Sequence, residues 1–107
     1  MADSAEEHAA RFNAAVRSGD WAAFADGFAV DARMDFVNVP AGPFVGRTAI
    51  ATAYRDNPPD DTIEVRSVSS DDLGDVIEFE WTRGGAGAMA LTWTPGGLVS
   101  RLVVEFR

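Results

Sequence analysis

The hydrophobic pattern of this chain changes period along its length: helical stripes open it, and strict alternation dominates its second half. Asp75 to Arg83 is the clearest case. Ile77, Phe79 and Trp81 fall on one face of a strand, with Glu78, Glu80 and Thr82 on the other. Strands of this kind have one apolar face to bury. Short amphipathic helices cannot bury their stripes on each other alone, so the two sets of elements need one another. Helices first and antiparallel hairpins afterwards predict an α+β fold, with helices on one face of a mainly antiparallel sheet and the other face free.

The elements follow from local signals. Ser4 followed by Glu7 is a capping-box signature, and Ala5, Ala9, Phe12 and Val16 form a helical stripe behind it. Gly19 stops this helix and Asp20 caps the next, whose stripe is Trp21, Phe24, Ala25 and Phe28. Asp31 to Asn38 reads as a first strand, with Met34, Phe36 and Asn38 on one face and Arg33, Asp35 and Val37 on the other. Pro40, Gly42 and Pro43 break it. Gly46 to about Arg55 reads as a third helix carrying Ile50, Ala53 and Tyr54, ended by the turn Asn57-Pro58-Pro59. Strands are then expected over Thr62 to Ser69, Asp75 to Arg83, Ala88 to Thr94 and Leu98 to Phe106, joined by glycine-rich turns. In the last strand Leu102, Val104 and Phe106 are expected inward, because Glu105 unpaired inside would be costly.

Composition removes several chemistries. The 107 residues have room for one core, so one domain over 1–107 is expected. There is no cysteine, hence no disulfide or thiolate chemistry, and all nine basic residues are arginine, so no lysine can form a Schiff base. His8 is the sole histidine, which rules out a multi-histidine metal site. No metal and no cofactor is expected. A net charge of −8 repels phosphate backbones and anionic lipid, so neither nucleic acid nor membrane is expected as a partner. The acidic start has no apolar signal segment, and the expected location is the cytoplasm.

Ala10 to Tyr54 resembles the NTF2-like superfamily, in its SnoaL-like and ketosteroid-isomerase-like branches. The resemblance is carried by the Phe12 helix, Ser18-Gly19-Asp20-Trp21, Phe28-Ala29-Val30-Asp31-Ala32 and Gly46-Arg47-Thr48-Ala49-Ile50 leading to Tyr54. The later hairpins match in order and length. The resemblance implies a cystatin-like cone, in which a strongly curved sheet wraps a long first helix around an apolar cavity. It also implies where ketosteroid isomerases keep their chemistry. The tyrosine position falls on Phe12, the base on Phe36, and the late aspartate at or next to Met89. None of these can move a proton or donate a hydrogen bond, so standard ketosteroid isomerisation is not expected. The same family commonly dimerises through the free sheet face, where Glu78 and Glu80 would need Arg66 and Arg101 opposite.

Phe12, Phe36, Phe79, Trp81, Met89 and Leu91 are expected towards the cone interior, either filling it as core or lining a ligand-sized cavity. Tyr54 matches a family tyrosine whose partners here read Phe12 and Phe28, which leaves its hydroxyl to backbone, water, Asn38 or a ligand. Asn38 shares the face of Phe36 and would orient a ligand's polar group, or else bond its own backbone in a turn. Asp35 and His8 are the candidate proton carriers. Asp35 reaches the interior only if a bulge turns it inwards. His8, near a helix N-terminus, is either a neutral base or an exposed residue on a frayed first turn. The expected partners are a small hydrophobic ligand and a second copy of the chain.

Overall fold

The computed structural model describes residues 3–107. Three helices, α1 (Asp3–Ser18), α2 (Trp21–Ala25) and α3 (Arg47–Asp56), pack on a curved, unclosed six-stranded sheet. The strands are β1 (Phe28–Val37), β2 (Phe44–Val45), β3 (Ile63–Ser70), β4 (Asp75–Trp81), β5 (Ala86–Trp93) and β6 (Val99–Phe106). Their order across the sheet is β2-β1-β6-β5-β4-β3. Every neighbouring pair is antiparallel except β1 with β6, which run parallel. Register shifts interrupt β1–β6 between Phe28 and Arg33, β3–β4 between Val65 and Ser67, and β5–β6 between Thr92 and Trp93. Extra residues on one strand bend it and sharpen its twist, which accounts for the curvature.

Side-chain chemistry fixes the helices to the sheet. The Asn13 amide donates to the Ile63 carbonyl at 2.9 Å, and its oxygen accepts from the Ile63 N–H at 2.8 Å, tying α1 to edge strand β3. Arg47 donates twice to the Phe28 carbonyl, at 2.9 and 2.6 Å, fastening the start of α3 to the start of β1. Between these ties lies an aromatic core. Trp21 stacks on Tyr54 with centroids 4.8 Å apart, and Phe24 meets both Phe28 and Tyr54 edge-on. Leu102 and Val104 are buried, while Arg101 is exposed, so β6 takes the inward register expected for it.

Four details depart from the sequence reading. Phe28 does not continue the α2 stripe. The helix ends at Ala25, and Asp26 and Gly27 turn the chain so that Phe28 opens β1, three residues before the expected start. The Arg11 guanidinium lies in the space beside Gly27 that a Cβ would enter, and its flexible end would have to move for any larger residue. The Phe28 ring reaches the same core by either route. Asn38 falls outside β1, with a left-handed φ of 61°. The proline-glycine segment contains the two-residue strand β2, too short to show a period. Finally, α1 already includes Asp3, so Ser4 lies within its first turn rather than before it.

Candidate functional site

The inner face of the sheet and the helices do not meet everywhere. Between them lies an open-mouthed hollow of about 370 Å³. Phe12 of α1 and Tyr54 of α3 form one side. Met34, Phe36, Phe79, Trp81, Met89 and Val104 form the sheet side, each inward by the period-two rule. Ala41, Phe44, Ala53, Asn57, Pro59, Ile63 and Phe106 complete the lining. The walls are held by ring contacts: Phe36 stacks on Phe106 at 6.0 Å and meets Phe44 edge-on at 6.3 Å, and Trp81 packs against Phe79, Phe106 and Phe12.

Among the described residues, no charged side chain lines this space. Its polar side-chain groups are the Tyr54 hydroxyl, the Asn57 amide and the Trp81 indole N–H. Asn57 is exposed and Trp81 is partly buried, with its Cδ1 near the Gly85 turn. Tyr54 is buried, and its hydroxyl makes no hydrogen bond among the described residues. Burial pushes its phenol well above the usual range, so the group stays protonated as a neutral donor.

Of the residues singled out from sequence, Phe12, Phe36, Tyr54, Phe79, Trp81 and Met89 come together around the hollow. Phe28 and Leu91 do not line it. They are sealed in the core behind it, at 0% and 1% exposure. Asn38 is exposed beyond the end of β1, where its left-handed backbone breaks the alternation that would have kept it beside Phe36. Asp35 stays on the outer face, because the β1–β6 register runs unbroken through Met34, Asp35 and Phe36. There the Arg33 guanidinium grips its carboxylate at 2.9 Å, Arg101 stands at 3.5 Å, and the hydrogen bond from Arg33 holds its pKa down.

His8 is neither exposed nor frayed. It is 5% exposed and packed between Phe24 and Phe28, with ring centroids 5.3 and 5.8 Å away. Desolvation, helped by nearby Arg11, lowers its pKa to about 4. It borders a separate crevice of about 30 Å³ rather than the hollow. Neither candidate proton carrier therefore reaches the hollow. Sequence reasoning passed over Phe44, Ala41 and Asn57, which lie in segments read as breakers and turns. Only the lone aromatic after Gly42-Pro43 hinted that this loop closes over something.

This chain belongs to the SnoaL-like domain family, whose model matches residues 9–107. No curated protein matches it. Among solved structures it is similar to a SnoaL-like protein from Burkholderia thailandensis, with a TM-score of 0.80 and 15% identity, covering 100% of this chain and 98% of that one. It is also similar to a protein with a cystatin-like fold from Methylobium petroleophilum, with a TM-score of 0.77 and 17% identity over 99% and 77% of the two chains. A third neighbour is SalBIII, an epoxide hydrolase/cyclase-like enzyme of pyran ring formation in the polyether salinomycin. Its TM-score is 0.75 at 20% identity, covering 100% of this chain and 95% of that one. At these identities the likeness is one of fold.

Proposed function

We propose that this SnoaL-like domain binds a small hydrophobic metabolite in the hollow bounded by Phe12, Phe36, Trp81 and Met89. The carrying observation is a concave space of about 370 Å³ whose lining is apolar and free of charge. The three positions that the family resemblance matches to ketosteroid-isomerase catalytic groups, Phe12, Phe36 and Met89, all border it with side chains that cannot carry a proton. Any reaction here would differ from the ketosteroid-isomerase route, and our reading of it is a cofactor-free isomerisation, cyclisation or hydration. SalBIII, described as epoxide hydrolase/cyclase-like, lends the cyclisation and hydration versions their support. The walls would work by orienting the ligand and excluding water from it. Asp35 and His8 stand outside this reading, since neither reaches the hollow.

The test is a thermal-shift screen against polycyclic ketones, aromatic polyketide fragments, terpenoid epoxides and phenols. A ligand at about 100 times its dissociation constant adds roughly 2.7 kcal/mol, which raises the melting point of a domain this size by on the order of 10 °C. A hit abolished by Trp81→Ala supports the pocket. A flat screen overturns it.

A second reading has its own observation. On the outer face Val103 pairs in register with Ala90, and Ala90 with Val76, forming a small apolar row across three strands. The charges around it are paired within the chain, Arg66 with Glu80 and Arg107 with Glu78. This favours a homodimer through the sheet face. A dimeric mass by light scattering that becomes monomeric in Ala90→Arg supports it, and a monomer at micromolar concentration overturns it.

A further inference from the structure

The Tyr54 side chain is in an unusual position for a buried phenol. The residue is 8% exposed, and a buried tyrosine hydroxyl normally finds a hydrogen-bond partner. The protein supplies none among the described residues. Yet no described side-chain polar atom is both sealed from the surface and unpartnered, so the hydroxyl must open onto accessible space. The space that Tyr54 lines is the hollow. A molecule in that hollow is placed to supply the partner that the protein does not.

The ring that carries this hydroxyl is fixed on several sides. Trp21 stacks on it at 4.8 Å with an interplanar angle of 8°, and Phe12 and Phe24 meet it edge-on at 6.4 and 5.2 Å. A donor held this way loses little freedom when it binds, which favours it as an orienting group. The other polar groups of the lining are less enclosed: Asn57 is exposed, and Trp81 is only partly buried.

We infer that the Tyr54 hydroxyl is the anchor of the hollow, donating a hydrogen bond to a neutral carbonyl, ether or epoxide oxygen at the buried end of an otherwise apolar ligand. This rests on the pocket reading above and narrows it. Ligand charge is selected against, because among the described residues no arginine, histidine, aspartate or glutamate lines the space to compensate for its desolvation. The phenol itself stays protonated, since burial raises its pKa. The ligand class is thus an uncharged, mostly hydrocarbon molecule with an oxygen acceptor facing α3.

A matched pair of probes tests this. Fluorenone and fluorene share a rigid frame and differ by one carbonyl. Binding of each is measured by calorimetry to the wild type and to Tyr54→Phe, which keeps the ring and its stacking. The expected result is that wild type prefers the ketone by about tenfold, the scale of one net hydrogen bond. Tyr54→Phe lowers ketone affinity to the hydrocarbon's level and leaves fluorene unchanged. The infrared carbonyl stretch of bound fluorenone moves to lower frequency in wild type and returns in the variant. Equal binding of both probes by wild type overturns the anchor and leaves the pocket standing. Loss of both probes in Tyr54→Phe, with a lowered melting point, assigns Tyr54 a structural role and overturns the anchor. No binding of either probe overturns the pocket and the anchor together.

Discussion

His8 sits between the rings of Phe24 and Phe28, and its pKa falls from 6.5 to about 4. The unfolded chain takes up a proton below about pH 6.5, while the folded chain resists until about pH 4. Stability from the neutral imidazole is therefore complete above pH 6.5 and is lost progressively as the pH falls towards 4. Wild type should lose roughly 2 kcal/mol more between pH 7 and pH 4.5 than His8→Leu does, read from urea unfolding at the two pH values. Equal losses would show that His8 is not the group responsible. The sequence placed His8 near the start of α1 but could not say that it was covered. The cover comes from Phe28, a residue of β1, and the period of one helix carries no information about what packs on it. Phe12, Phe36 and Trp81 were legible as inward residues for the opposite reason: their faces follow from their own elements. Asn38 was misplaced because a single left-handed residue ends the alternation that the reading extrapolated.

At the scale of elements, β4 was the easiest to read, since its alternation is unbroken from Val76 to Trp81. The start of β1 was hidden because Phe28 also satisfies the helical spacing of Trp21 and Phe24, and only the Asp26-Gly27 turn separates the two readings. The turn between β3 and β4 was clear from Asp71-Asp72-Leu73-Gly74, and the structure shows why it ends in glycine. The Asp71 carboxylate accepts from the backbone N–H groups of Leu73 and Gly74 at 2.8 and 3.1 Å. Gly74 has a φ of 154°, and a Cβ there would run into the Leu91 carbonyl of β5. Gly74→Ala should cost about 2–4 kcal/mol through strain and forced backbone movement. Gly97→Ala, with a φ of 87° but nothing within 4 Å of the added Cβ, is the control. It should cost about 1 kcal/mol, the backbone conformation alone. Similar losses in the two variants, measured by denaturant unfolding, would count against the clash with Leu91.

For the whole molecule, the hollow exists because a bent sheet cannot lie flat on straight helices, and the side chains left at its mouth are rings rather than charges. Phe36→Asp would place a carboxylate among Phe44, Phe106 and the other mouth residues. It should abolish binding of an uncharged ligand while costing only about 1–3 kcal/mol of stability, because the site is half-open to water. Calorimetric titration alongside thermal unfolding separates the two effects, and retained affinity would place the ligand elsewhere. The strand order was the part of the fold that the residue pattern could not supply. Alternation says which side chains share a face, but not which strand lies beside which.

That order reaches into how the chain is made. β1, complete by Val37, takes as its parallel neighbour β6, which begins only at Val99, and β6 also joins β1 to β5. Until those residues leave the ribosome, the nascent chain has two unmatched sheet fragments and a hollow with one wall missing. Such long-range pairing slows folding. Chains stalled before Val99 has emerged should be cut readily by protease at segments that resist it in the released protein. The waiting β1, with Val37 and Phe36 near its open border, is the stretch a chaperone would need to shield.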